Sequence, residues 1–161
     1  MANDHHAGKG CVREQRPDVE DRRDAMRVLA LAGAETLAAA WSDWQDKPRI
    51  EDIRRAETGL VMLRGRIGGD GASFNFGEAT VTRAAVRIGG SVGHGYVLGR
   101  DKDKARLAAI FDALWQGEAR ARVEREVLAP IRGDIAAADT RSAARTAATR
   151  VDFFTLVRGE D

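Results

Sequence analysis

The spacing of apolar residues along the chain is helical at both ends and strand-like in the middle. Met26, Leu29 and Ala32 share one face of a first predicted helix. A second helix ends at Lys47-Pro48, because the residue before a proline disfavours helical geometry. Its two tryptophans could form a surface for a partner, but their helical spacing favours the core. The apolar positions of this second helix are Leu37, Ala40, Trp41 and Trp44.

The second half of the chain is helical again. Asp101 to Gln116 is the clearest predicted helix, and a further helix begins near Glu118. We expect Pro130 to break or kink that helix, because proline lacks an N–H and its ring clashes with the preceding turn. Residues 131–149 are rich in alanine and predict a last helix. The apolar stripe of the clearest helix consists of Leu107, Ile110, Phe111, Leu114 and Trp115.

Between these helices, residues Glu57 to Asp101 predict strands and tight turns. The expected strands are Gly59 to Ile67, Phe74 to Ile88 and Ser91 to Leu98. Gly89-Gly90 is typical of a two-residue hairpin turn, so the last two of these strands pair directly.

That short turn predicts the register of the hairpin, with Ile88 opposite Ser91. Neither face of the resulting sheet is cleanly polar, and a sheet that is apolar on both sides needs cover on both sides. We expect helices on one side, and the C-terminal part of the chain or a partner protein on the other. The other predicted pairs are Thr82 with Val97, Thr80 with Gly99, Val81 with Leu98, Arg83 with Tyr96, and Ala85 with His94.

The pattern predicts an α+β fold, in which N-terminal and C-terminal helices pack on an antiparallel sheet of about four strands. The fourth strand is Val151 to Arg158, which is apolar on both faces and therefore central in the sheet or buried against another subunit. Residues 1–16 are polar and aperiodic, which predicts a disordered tail before a single domain of residues 17–161. His5, His6 and Cys11 lie in that tail, where nothing would hold a metal-binding geometry, so we expect no metal site.

Composition narrows the classes of function. The chain has 161 residues, enough for one domain with a real core, and 26 Lys and Arg against 25 Asp and Glu. This balance gives no electrostatic reason to expect nucleic acid or a membrane surface as a partner. A single cysteine fits a reducing compartment, and no apolar run approaches the ~20 residues that span a bilayer. We therefore expect a cytoplasmic protein.

The sequence holds no complete catalytic set. It lacks a phosphate-binding loop with lysine and a Gly-x-Ser-x-Gly elbow, and His94 is the one histidine inside the predicted domain. A lone strand histidine is more often structural. Arginines beside glycine-rich backbone, with Glu78, Thr80 and Thr82 on one strand face, could hold a phosphate-rich ligand or could form internal salt bridges. These arginines are Arg64, Arg66, Arg83, Arg87 and Arg100.

Several separate motifs, in the right order from about Val19 to Glu160, resemble the PhnG family of phosphonate-breakdown proteins. PhnG is a subunit of the carbon–phosphorus lyase core complex. Residues 1–16 have no counterpart in this resemblance, and the segment around His94 is one that varies. The matching motifs are Ala56 to Val61, the turn Arg64 to Gly71, Gly77 to Arg87, Gly99 to Lys102, and Thr149 to Thr155.

The resemblance implies an accessory role in a complex with PhnI, PhnH and PhnJ, together with the ATPase-like proteins PhnK and PhnL. With PhnI, which is thought to carry the nucleosidase chemistry, PhnG helps a phosphonate displace adenine from MgATP. The product is a ribose 1-phosphonate 5-triphosphate. MgATP is then a substrate of the complex, and we expect no cofactor on this chain. Residues expected to contact substrate or partner are Arg64, Arg66, Glu78, Thr80, Thr82, Arg83 and Arg100.

Two other classes of function stay open. A stand-alone enzyme that binds a phosphate ligand would need a carboxylate cluster for a metal or a phosphate loop. An arginine-rich RNA-binding module would show a basic surplus and paired aromatic residues on strands, and the near-neutral charge argues against it.

Overall fold

A three-stranded antiparallel sheet with the order β1-β2-β3 organises the computed structural model, which describes residues 17–66 and 71–149. The predicted α+β class is confirmed. The predicted fourth strand, Val151 to Arg158, lies outside the described residues, as do residues 1–16. The elements are α1 (Pro17–Leu31), α2 (Ala34–Ser42), β1 (Glu51–Arg66), β2 (Ser73–Ile88), β3 (Ser91–Leu98), α3 (Lys102–Trp115), α4 (Arg120–Val123), a π-helical segment (Glu124–Leu128) and α5 (Ala129–Ala148).

The register predicted for the β2–β3 hairpin is confirmed. Ile88 faces Ser91, and the pairing continues to Val81 opposite Leu98. Gly89 has a φ of 56°, which a glycine adopts without strain and which the tight turn requires. One residue past β3, the Gly99 N–H donates to the Thr80 carbonyl at 2.8 Å, as the predicted pair requires.

Strand β1 begins eight residues before the predicted start, at Glu51 instead of Gly59. Its first residues pair with the end of β2, from Glu51 opposite Arg87 to Glu57 opposite Arg83. Register shifts between Asp52 and Arg54, and between Arg54 and Glu57, interrupt this part of the ladder. The shifts break the period-two pattern by which a strand is recognised in a sequence, so the prediction of β1 was too short.

Helix α3 packs against one face of the sheet at very close range. A Cβ atom on Gly95 would lie 1.9 Å from the Ala105 carbonyl oxygen, and one on Gly93 would lie 2.0 Å from that of Ala109. Only glycine allows two backbones to approach this closely. By cross-strand pairing, Val86 and Ala84 share the face of these glycines, and both are buried under the helix.

The core lies between this sheet face and the helices. Trp41 of α2 and Trp44, which follows that helix, pack edge-on against Phe111 of α3, with ring centroids 6.1 Å away for Trp41 and 5.9 Å away for Trp44. The interpretation of this pair as core is therefore confirmed. The other large core residues come from α1, α2, the sheet, α3 and the helical segment after it: Leu29, Leu37, Val86, Val97, Ile110, Trp115, Val123 and Leu128.

Pro130 does not break the helix that contains it, so of the two predicted effects, a break or a kink, the break is absent. The helical path continues into α5, and the winding changes to π-helical over Glu124–Leu128, directly before the proline. Prolines and π-helical turns are the usual places at which a helix bends. Ile131 after the proline remains buried, so the helix stays attached to the core.

The buried carboxylate of Asp112 joins α3, α1 and β3. The Arg22 guanidinium donates two hydrogen bonds to it, from Nε at 3.1 Å and from Nη2 at 2.8 Å. The backbone N–H of His94 donates a third at 2.8 Å. Gln116 and Arg22 also donate to the Val92 carbonyl, at 2.8 and 3.3 Å. Each partner therefore satisfies a polar group that burial would otherwise penalise.

We expect Asp112→Ala to lower the free energy of unfolding by about 3 kcal/mol, because it leaves Arg22 and the His94 N–H without the carboxylate. Urea unfolding of both proteins measures the loss. Asp139→Ala, an exposed acid on α5, is the control and should stay within about 0.5 kcal/mol of the parent chain. A loss below 1 kcal/mol for the Asp112 variant would contradict the assigned role.

Gly95→Ala should destabilise the fold by about 3 kcal/mol or more, because the added methyl group meets the backbone of α3. The matched control is Gly77→Ala in β2, where a Cβ atom meets nothing within 4 Å. Thermal unfolding should separate the two variants clearly. Equal melting temperatures would show that α3 does not approach the sheet as described.

Candidate functional site

The second face of the sheet has no helix on it among the described residues. We call it the open face, and we call the face under α3 the helix-side face. The small residues Val81 and Ala85 of the open face are shielded by their neighbours. Tyr96 and Leu98 of the same face are exposed, and Leu98 has 76% of its surface accessible. Exposed apolar residues that adjoin one another, as Tyr96 and Leu98 do, are more typical of a contact surface than single scattered ones.

Strands β1 and β2 extend beyond the end of β3 as a two-stranded ribbon. We define the ribbon as residues 60–66 and 73–80, which pair from Leu60 opposite Thr80 to Arg66 opposite Ser73. Large apolar side chains project from both of its faces. Leu60 and Met62 belong to the helix-side face, where they lie opposite Thr80 and Glu78, and they are 64% and 59% exposed.

The open face of the ribbon carries its own apolar strip. Phe74 and Phe76 lie with ring centroids 6.2 Å apart at the far end, and the Phe76 ring lies against Gly65. Leu63 follows towards the sheet, and Leu98 and Tyr96 of β3 continue the strip. Several exposed large residues in one direction form a patch that a protein in isolation rarely presents to water.

One charged cluster interrupts the open face. Glu57 accepts hydrogen bonds from Arg54 at 2.6 Å and from Arg83 at 2.9 Å. The hydrogen bond from Arg54 has the largest effect, and together with the bond from Arg83 it holds the pKa of Glu57 below its ordinary value. The carboxylate therefore keeps its charge to lower pH than a solvated glutamate. Beside the cluster, Gly59 and Val81 border a hollow of about 250 Å³, which Tyr96 also lines.

The seven residues predicted to contact substrate or partner do not form one cluster. Glu78 and Thr80 lie on the helix-side face of the ribbon, whereas Arg83 lies on the open face with Glu57. Arg64 and Arg66 lie near the ribbon end, opposite Asn75 and Ser73, and Arg100 is exposed in the turn before α3. The predicted set thus surrounds the ribbon on several sides, and its role in contacts stays a prediction.

Thr82, the seventh predicted residue, is completely buried. Its hydroxyl donates to the Gly99 carbonyl at 2.7 Å and lies 3.0 Å from the Thr58 hydroxyl. Because a hydroxyl has one proton to donate, Thr58 is the donor in the second contact. Thr82 therefore joins all three strands where the ribbon leaves the sheet.

A cleft of about 900 Å³ lies at the other end of the sheet, beside the β2–β3 turn, and His94 lines it. Three arginines line it as well: Arg22, Arg23 and Arg120. Arg22 is held by Asp112. These arginines were not among the predicted site residues. Asp112, a carboxylate inside the apolar stripe of α3, is a sequence signal that could have indicated a cationic partner, which is Arg22 in the structure.

Contacts between neighbouring side chains hold the cleft residues Arg120 and Trp115 in place. The Arg120 guanidinium stacks on the Trp115 ring at 4.0 Å, and Trp115 Nε1 donates to Glu124 at 2.6 Å. Burial alone would raise the pKa of Glu124, but hydrogen bonds from Arg132 and Trp115 outweigh it and lower that pKa. The cleft is therefore built from side chains that are fixed by one another.

The described residues contain neither a metal-binding cluster nor a helix that could span a membrane. Residues 17–66 and 71–149 hold no group of three or more His, Cys, Asp or Glu that could bind a metal ion. None of the helices in these ranges is long and apolar enough to cross a membrane. His5, His6 and Cys11 lie outside these ranges.

These features define a small α+β protein with paired surface charges and a protruding apolar ribbon. Such exposed apolar surface is typical of proteins that bind other proteins. A family model described as phosphonate metabolism protein PhnG matches residues 20–159. The chain belongs to the PhnG family. A curated relative from Rhizobium meliloti (strain 1021), alpha-D-ribose 1-methylphosphonate 5-triphosphate synthase subunit PhnG, is 57% identical over 145 residues, which cover 89% of this chain and 92% of that protein. The resemblance to PhnG seen in the sequence is therefore confirmed.

Thr82→Val should lower the free energy of unfolding by about 1–3 kcal/mol, because the Gly99 carbonyl and the Thr58 hydroxyl lose their partner inside the protein. The matched control is Thr80→Val, two residues earlier on the same face, where we expect a change within about 0.5 kcal/mol. Denaturant unfolding measures both. Unchanged stability of the Thr82 variant together with impaired complex formation would instead make Thr82 a contact residue.

Proposed function

We propose that this chain is an accessory subunit of an alpha-D-ribose 1-methylphosphonate 5-triphosphate synthase. The observation that carries the proposal is the relative of that name, which is 57% identical over 89% of this chain. The exposed apolar ribbon supports a role as a subunit, because such a patch gains stability when a partner covers it.

The name of the relative indicates a reaction. A ribose that carries a 5-triphosphate and a 1-methylphosphonate is ATP in which the phosphonate has replaced adenine. A phosphonate oxygen attacks C1 of the ribose, the bond from C1 to N9 of adenine breaks, and adenine leaves with that electron pair and takes up a proton. The proposed substrates are accordingly MgATP and a phosphonate, both of which belong to the assembled complex.

We assign the chemistry of this step to PhnI and a supporting role to this chain. PhnI is the most direct partner in the proposal, PhnH and PhnJ complete the core complex, and PhnK and PhnL act with it. Within this chain, Arg64, Glu78, Arg83 and Arg100 are the polar residues that we propose to contact the partner or the anionic substrate. A guanidinium suits either one, because it binds carboxylate and phosphate groups with the same geometry.

The proposal is tested by reconstitution. PhnI, PhnH, PhnL, MgATP and methylphosphonate are combined with and without this chain, and adenine and the ribose 1-phosphonate product are followed. We expect product only when the chain is present, and no ATP turnover by the chain alone. Equal product formation without the chain would reject the role, and robust turnover by the chain alone would establish it as an enzyme in its own right.

Substitution by glutamine at Arg64, Arg83 or Arg100, or by alanine at Glu78, should weaken either retention by PhnI or the coupled reaction. Each removes a charge from an exposed position, so we expect melting temperatures near that of the parent chain. Arg27→Gln, which removes an exposed charge from α1, is the matched control and should leave product formation unchanged. Full activity of all four variants would remove these residues from the site.

A further inference from the structure

The two outer edges of the sheet, formed by β3 and β1, differ in what contacts their outward backbone groups. On the half of β3 next to the β2–β3 turn, side chains occupy outward backbone groups: Asp112 accepts from the His94 N–H, and Arg22 and Gln116 donate to the Val92 carbonyl. Such capping prevents another strand from pairing there, which is how proteins protect an exposed edge. The outer edge of β1 has no strand partner within residues 17–66 and 71–149.

The geometry of the ladder identifies the outward groups of β1. The Gly99 N–H donates to the Thr80 carbonyl, so the backbone groups of Thr80 point towards β3. Residues of an antiparallel strand point their backbone groups alternately to the two sides, so those of Ala79 and Val81 point towards β1. The backbone N–H and C=O groups of their partners Val61 and Gly59 therefore point into the sheet, towards β2. The groups that point outward from β1 belong to the residues between and beside these partners: Thr58, Leu60 and Met62.

The outward segment is regular and flanked by apolar side chains. From Glu57 to Leu63, β1 pairs with β2 without a register shift, whereas shifts interrupt the ladder on either side of this run. Leu60 and Met62 are more than half exposed on the helix-side face, and Leu63 is exposed on the open face. A strand added at this edge would find backbone partners along the edge and apolar neighbours on both faces.

We propose that the edge of β1 from Glu57 to Leu63 accepts an extended strand from a partner subunit of the synthase. The inference rests on the proposed function, and it adds how the partner is held. Main-chain hydrogen bonds to Thr58, Leu60 and Met62 supply the affinity, and side chains that pack on Leu60, Met62 and Leu63 supply the fit.

Charge defines the chemistry of the occupant. Five arginines and two glutamates lie in residues 54–66 and 73–83, and Glu57 is already shared between Arg54 and Arg83. The partner strand therefore combines apolar residues with acidic ones that meet the remaining guanidinium groups. The remaining arginines are Arg55, Arg64 and Arg66.

Leu60→Pro tests the main-chain part of the inference. Proline removes the outward N–H of Leu60, a group that the β1–β2 ladder does not use, so the isolated chain should still fold. The matched variant Leu60→Thr loses the same side chain but keeps the N–H. Leu31→Thr, on α1, removes a leucine that is 58% exposed and serves as the surface control.

Affinity for tagged PhnI, with PhnH present, is measured for the full chain and each variant. We expect Leu60→Thr to weaken binding about threefold, Leu60→Pro to weaken it about tenfold or more, and Leu31→Thr to change nothing. Equal affinities of the proline and threonine variants would overturn the strand addition while leaving the proposed function intact. Failure of the parent chain to bind would reject the proposed function itself.

Hydrogen exchange at single residues gives a readout that does not depend on any substitution. In the free chain, the amide of Val61 should exchange slowly and those of Leu60 and Met62 fast, because only Val61 points into the sheet. In the complex, Leu60 and Met62 should become protected as well. Unchanged fast exchange at both would exclude a strand at this edge. If protection and a doubled mass arise for the chain alone, a second copy is the occupant and the partner-subunit proposal is wrong.

Discussion

The carboxylate of Asp112 is the interaction on which the arrangement of the other elements depends. A charge without access to water is stable only when it is fully hydrogen-bonded, and here the partners come from α1, from β3 and from Gln116 directly after α3. The same set of bonds aligns α3 over the glycines of β3 and caps the edge of that strand. The network caps the β3 edge next to the β2–β3 turn, and the edge of β1 with the ribbon remains for contact with other molecules.

The ribbon differs from the rest of the molecule in what stabilises it. Its residues lie beyond the cover of α3 and beyond the last pair of β3, so it has a ladder of hydrogen bonds but little buried apolar area. A two-stranded hairpin is marginally stable on its own. Thr82, buried at its base and bonded to Gly99 and Thr58, attaches the ribbon to the sheet where that support ends.

Local signals predicted much of this fold, and the parts that were missed depend on distant contacts. Gly89-Gly90 fixed the hairpin register because a two-residue turn allows one pairing. The start of β1 was missed because bulges near Arg54 disrupt the alternation of a charged segment. The pairing of Glu57 with Arg83 lies beyond the register shift between Leu63 and Arg64, so counting residues back from the end of β1 could not predict it. The seven proposed site residues came from motifs and not from geometry, and the fold distributes them over several surfaces.

Exposed apolar surface on one side of a subunit has a cost in the cell when its partner is lacking. Leu60, Met62, Phe76 and Leu98 would meet water in every copy that remains unassembled, next to a strand edge that can pair with any extended chain. Chaperones and proteases act on such surfaces, and copies in excess would aggregate or be degraded. The amount of this protein that persists would then be set by the supply of its partner. The exposed apolar side chains would therefore require the cell to make the subunits in balanced amounts.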